Sequence, residues 1–162
     1  MEQAILSWLN GTWLHFFVND NPPVFGIFET IHFIGLCILF GSIMIVDLRL
    51  LGFMRGMPLR AVLKFIPVVI VGFSLNVISG LAFMCADPFN YWGNPAFKLK
   101  MFLIVLAGLN AIWFTLAEEK KILAMPDGAA TDTLTKISAA ASLIFWLSII
   151  TIGRMLPTFE VG

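Results

Sequence analysis

The chain has 162 residues, 59% of them hydrophobic and only 12% charged, with a mean hydropathy of +0.93, which excludes an ordinary soluble domain and makes it an integral membrane protein. Ten basic and ten acidic residues cancel to a net charge of zero, so no charge excess calls for nucleic acid or an acidic partner. There is no Gly-rich phosphate loop, GxSxG elbow, HExxH or CxxC, which leaves hydrolase, nucleotide and thiol-redox chemistry without a motif.

"MEQAILSWLNGTWLHFF" has neither a basic segment nor a small-residue cleavage site, so the N-terminus is expected to be retained. Asn10, Gly11, Asn19 and Asp20 interrupt the first 20 residues too soon for a membrane span. Trp8, Trp13, Phe16 and Phe17 instead predict an amphipathic helix over about 3–18 lying in the membrane interface, where aromatic rings concentrate. The first span is predicted over 24–46, just after "NDNPP", with Pro near the first helical turn. A loop with Arg49, Arg55, Arg60 and Lys64 leads to a second span over 65–86. A third, over 95–117, opens at "NYWGNP", and the loop after it carries Lys120, Lys121 and Lys136 around the polar stretch "MPDGAATDT". The fourth span, over 137–156, stops at "GRMLPTF", where Pro157 disfavours continuation.

The expected fold is therefore all-α: an integral membrane four-helix bundle with an N-terminal interfacial helix, one membrane domain over 1–162. The basic residues divide seven to three in favour of the two loops that join spans one to two and three to four. Those loops are expected on the cytoplasmic side of a bacterial inner membrane, with both termini on the periplasmic side.

At about 1.5 Å per residue, Glu29 lies roughly 7–8 Å and His32 roughly 12 Å in from the start of span one. Lys100 near the start of span three and Arg154 near the end of span four fall at the same level. Charges in hydrocarbon cost about 2.5–3.5 kcal/mol on insertion scales, so these four are expected to point inward and pair. His32 reads either as an imidazole satisfied inside the bundle or as a ligand to a metal or tetrapyrrole, oriented by Glu29. Asp47 and Arg49 read first as an interfacial ion pair ending span one. Asn76 and Asn110 read as interhelical packing groups, and His15 as a bystander that a folded-over amphipathic helix could bring near His32. Cys37 and Cys85 are expected to be buried free thiols. Met84, Met101 and Met155 with Cys85 are soft donors that suit Cu(I), although no MxxM or HxxM cluster appears.

"ETIHFIGLCILFGSIMIVDLRLLG", "NPAFKLKMFLIVLAGLNAIWF" and "SLIFWLSIITIGRMLP" resemble an uncharacterised family of small bacterial four-span membrane proteins. His32 followed nine residues later by Gly41, and Lys100 in "LKMFLIVLAGLN", are more distantly similar to copper-resistance-D-type membrane domains and to HemJ-type protoporphyrinogen oxidases. The latter resemblance implies haem bound with the help of such a His and a Lys. Three functions stay open on the sequence. The first is a redox protein binding haem b or a related cofactor, with His32 as metal ligand, Glu29 orienting it, and Lys98, Lys100 or Arg154 meeting propionates. The second is a non-catalytic accessory subunit of a larger membrane complex, or a homo-oligomer. The third is binding or transport of copper or a small solute.

Overall fold

The computed structural model describes residues 1–126 and 128–159, and every regular element among them is helical. Two helices, α1 (Glu2–Asn10) and α2 (Trp13–Asn19), stand where one interfacial helix was expected. The Thr12 hydroxyl makes the break. It donates to Leu9 O at 2.7 Å and accepts the His15 amide at 3.4 Å, so it closes α1 and caps α2 at once. Trp8, Trp13 and Phe16 remain exposed on this pair, as membrane-interface aromatics would.

The first long helix, α3 (Pro22–Leu51), opens with two prolines and runs past the expected end at residue 46. It stops at Gly52, whose φ of 99° is open to glycine at little cost. There the Gly52 amide donates to Arg49 O at 3.1 Å and the Phe53 amide to Leu48 O at 3.0 Å, a Schellman turn. A short α4 (Leu59–Leu63) leads into α5 (Ile66–Ala86), and α6 (Pro88–Gly93) joins α5 to α7 (Pro95–Trp113). α7 continues through a π-helical turn at Phe114–Glu118 into α8 (Glu119–Leu123). The last helix is α9 (Thr133–Met155), followed by a 3-10 turn at Leu156–Phe159.

Four segments, Pro22–Leu51, Leu59–Ala86, Pro95–Leu123 and Thr133–Phe159, are long and apolar enough to cross a membrane. Large apolar side chains such as Ile70, Ile78, Phe102, Ile112 and Ile144 are exposed on them, a surface that suits a lipid bilayer. α3 packs against both α5 and α9, and α7 packs against α9, while α5 and α7 make no substantial contact. The four helices thus form a bent row, α5, α3, α9, α7, with a seam between its two outer members.

The α3 and α5 backbones meet at Gly35 and Gly72. A Cβ on Gly72 would stand 2.6 Å from the Leu39 amide nitrogen and 2.9 Å from Gly35 O. At one end of the row lie α1, α2, α6 and the 3-10 turn, tied together by Asn19 Nδ2 donating to Ala86 O (2.9 Å) and Asn94 Nδ2 to Leu156 O (3.0 Å). This is the termini end. The opposite, basic-loop end is sealed by a core of Val46, Leu50, Leu59, Val62 and Ile122.

α9 begins four residues earlier than expected from hydropathy because Asp132 caps it, Oδ1 accepting the Thr135 amide at 2.9 Å. The Lys121 ammonium donates to the same carboxylate, and together with the Thr135 groups it holds Asp132 below the usual carboxylate range. A depressed carboxyl adds stability that is in place above the unfolded value, about 4, and is lost as pH falls further. The first turn of α9 should therefore be as well ordered at pH 5 as at pH 7. In an NMR titration the Thr135 amide shift should stay flat to about pH 4, and a midpoint at the ordinary aspartate value would contradict the Lys121 contact.

Candidate functional site

The residues expected to meet near the termini end do so only in part. His32 turns towards α5, with Nδ1 2.8 Å from Ser79 Oγ and its ring tilted against Phe83 at 5.4 Å between centroids. Ser79 is fully buried and gives its one hydroxyl hydrogen to Leu75 O at 2.7 Å. With that hydrogen on Leu75 O, the Ser79 oxygen accepts from His32, an arrangement that has the imidazole proton on Nδ1 and the Nε2 lone pair free. The Lys100 ammonium lies over bare backbone on α9, 3.5 Å from where a Cβ of Gly153 would stand.

Glu29 and Arg154 are exposed, and no ion pair joins either of them to His32 or Lys100. The paired four-residue cluster is not formed. Three residues on a helix of 3.6 per turn leave an offset of about 60°, enough to carry Glu29 off the α3–α5 seam that holds His32. His15 does fold over the end of α5, but its Nδ1 donates to Cys85 O at 2.9 Å. That anchor is six residues beyond Ser79, roughly 9 Å along the helix. Cys85 is buried as expected, whereas Cys37 is exposed. Asn76 bonds within its own helix, Nδ2 to Gly72 O at 2.9 Å, rather than across to another. Among the described residues no three His, Cys, Asp or Glu side chains are grouped to hold a metal.

A different site lies deeper. A cavity of about 260 Å³ sits between α3, α5, α7 and α9 in the half of the bundle nearer the basic loops. Its walls are mostly apolar, and Phe73 and Trp146 meet there edge to face at 6.3 Å. Four of its polar side chains are Asp47, Asn110, Ser138 and Ser142. Asn110 and Ser138 satisfy one another across α7 and α9: Ser138 Oγ donates to Asn110 Oδ1 at 2.9 Å, and Asn110 Nδ2 to Ser138 O at 3.1 Å. Asn110 is thus the interhelical packing group it was expected to be.

Asp47 is not satisfied in this way. It is 5% exposed, the Ser142 hydroxyl lies within reach, and Oδ2 has no hydrogen-bond partner. The expected ion pair with Arg49 is absent, since residues two apart point to different sides of a helix. Nor do the two lie exposed at the boundary: Arg49 is 0% exposed. Its Nε donates to Met57 O at 2.7 Å and its Nη2 to Ala129 O at 3.4 Å, which ties the two basic loops together. The i, i+2 spacing in "VDLR" already carried this signal. An acid left unpaired away from water is expensive, and an intramembrane ionisable group in that state is a functional candidate.

The basic-loop end closes the cavity from below. Thr131 Oγ1 donates to Leu50 O, Arg60 Nε to Leu123 O at 3.0 Å, and Thr135 Oγ1 to the buried Glu118 carboxyl at 2.5 Å. Phe114 and Thr115, which border the cavity, belong to the π-helical turn that ends at Glu118. Such turns widen a helix locally and recur beside functional sites. Access is left along the unpacked seam between α5 and α7.

A family model matches residues 5–159, and its description is a family of unknown function, DUF6644. No curated protein and no solved structure matches the chain.

Proposed function

This chain belongs to the DUF6644 family, and we propose that it is a membrane-embedded binding protein that holds a small, mostly apolar molecule between its four spanning helices, with the Asp47 carboxyl as polar anchor. The observation that carries this reading is a single one: the 5% exposed carboxyl with a partnerless oxygen borders an apolar cavity of about 260 Å³. Ligand sites have this make-up, apolar walls with a few convergent polar groups, and helical bundles build them between facing helices. A molecule dissolved in the bilayer would enter through the α5–α7 seam without crossing water. With the basic loops cytoplasmic, it would come from the cytoplasmic leaflet.

Gly108 supplies the test. It borders the cavity, and a Cβ there would meet no atom within 4 Å, so Gly108→Leu fills space without a clash. Native mass spectrometry of the purified protein with 1-aminoanthracene should show a one-to-one complex that the Gly108→Leu chain does not form. Equal adducts on both chains, or none on either, would sink the reading.

A second reading keeps His32 as the ligand of haem b or another metal-centred cofactor. It is favoured by the Ser79 hydroxyl, which sets the Nδ1–H tautomer and frees Nε2, the orientation that second-shell partners impose on ligating histidines. His32 would hold the metal through Nε2, and Lys100 on α7 would meet an anionic group of the cofactor, with Glu29 and Arg154 on the exposed side. When bound, haem would supply one-electron chemistry. A Soret band in protein from haem-supplemented cells, lost in His32→Ala, supports this reading; a colourless preparation ends it.

A further inference from the structure

We infer that the molecule held in the cavity is a lipophilic cation, an amine or quaternary ammonium group on an apolar body, whose charge is met by Asp47; this rests on the cavity being a binding site at all. The lining contains one carboxyl and no Lys, Arg or His. Arg49, the nearest cation in sequence, donates through Nε to Met57 O and through Nη2 to Ala129 O, keeps Nη1 without a partner, and forms no ion pair with Asp47. No ion pair among the described residues gives a counter-charge to this acid, which is 5% exposed; such an acid stays neutral or takes its counter-charge from outside the chain.

The rest of the lining narrows what completes it. A bare metal ion would need further hard donors, and no second Asp, Glu, His or Cys joins Asp47 in the cavity wall. One of the two amide hydrogens of Asn110, the group best suited to donate to an anionic or carbonyl head, goes to Ser138 O, and the Ser138 hydroxyl goes to Asn110 Oδ1. With the Asp47 carboxyl in the same wall, the polar side of the site favours a cation over an anion. The aromatic corner of Phe73 and Trp146, with Phe114 in the same wall, adds ring faces that attract a cation and repel an anion. The apolar remainder fits a ligand body of hydrocarbon. A cation of this kind partitions into the bilayer and reaches the cavity by the open seam.

The test compares charge at constant shape. Protein in nanodiscs of zwitterionic lipid, with empty nanodiscs subtracted, is equilibrated with trimethyl(3-phenylpropyl)ammonium and with its uncharged tert-butyl isostere, and binding is read by equilibrium dialysis. The ammonium compound should bind at least about tenfold more tightly than the isostere. Asp47→Asn should erase that preference while Asp47→Glu keeps most of it. Equal binding of the two compounds to the native chain overturns the inference, and this comparison needs no variant to fold. If aminoanthracene is still excluded by Gly108→Leu in that case, the binding reading stands and only the cationic class is wrong. If the native chain takes neither compound nor aminoanthracene, both fall together.

Discussion

Gly72→Ala should destabilise the protein by about 3 kcal/mol, the upper end of what one inserted methyl costs in a packed site. The added carbon would stand 2.6 Å from the Leu39 amide nitrogen, 2.9 Å from Leu39 Cα and 2.9 Å from Gly35 O. All three are backbone atoms of α3, so no side chain can swing aside to make room. Relief requires the two helices to separate, which also pulls Ser79 from His32, since Gly72, Asn76 and Ser79 share one face of α5. Gly80→Ala on the same helix is the control, because a Cβ there meets nothing within 4 Å. It should gain about 0.5–1 kcal/mol from helix propensity. Unfolding midpoints in mild detergent should move in opposite directions. A Gly72→Ala chain that melts with the Gly80→Ala chain would mean that α3 and α5 do not cross at this point.

Thr135→Val is expected to cost roughly 2–3 kcal/mol, although it removes a single hydroxyl and keeps the side-chain volume. Thr135 is 0% exposed, and the single hydrogen of its Oγ1 is shared between Glu118 Oε2 at 2.5 Å and Asp132 Oδ1 at 2.7 Å. Without it the Glu118 carboxyl, itself 5% exposed, keeps only Lys121 at 3.6 Å. The asymmetry of hydrogen-bond energetics gives a second arm. Glu118→Leu combined with Thr135→Val removes the orphan along with its partner, so the double variant should recover most of the loss. Additive penalties in that cycle would show that the two side chains do not share a bond.

Much of the architecture was legible in the chain alone. Helix α5 begins and ends within a residue of the limits expected for the second span, α7 opens at the expected Pro95, and α3 opens two residues before its expected start, at Pro22. The ends at the basic loops were not legible by the same route. α3 runs on to Gly52 and α9 starts back at Asp132 because hydrogen-bonded caps, not loss of hydrophobicity, stop them. Both caps are local and could have been read: a Gly after the basic turn "DLRLL", and an Asp three residues before Thr135. The expected site fared differently. His32 does find an inward partner, but it is Ser79, a residue that no charge-based argument singles out. Asp47 reads from the sequence as part of a boundary ion pair, which its two-residue spacing from Arg49 disfavours.

Class, number of spans and the crowding of basic residues at one end follow from residues taken one segment at a time, because transfer into a bilayer depends on the composition of each twenty-residue stretch. The rotation of each helix does not. These spans are apolar around their whole circumference, so no periodicity marks an inward face. Inward faces are chosen where glycine lets backbones approach, at Gly35 on Gly72, and by which pairs of helices then touch. That choice aligned α5, α3, α9 and α7 into an open row, turned Asp47 into the cavity and Arg49 into the loops, and left Glu29 outside. The partners of a buried polar group come from other helices, and their identity is a property of the packing.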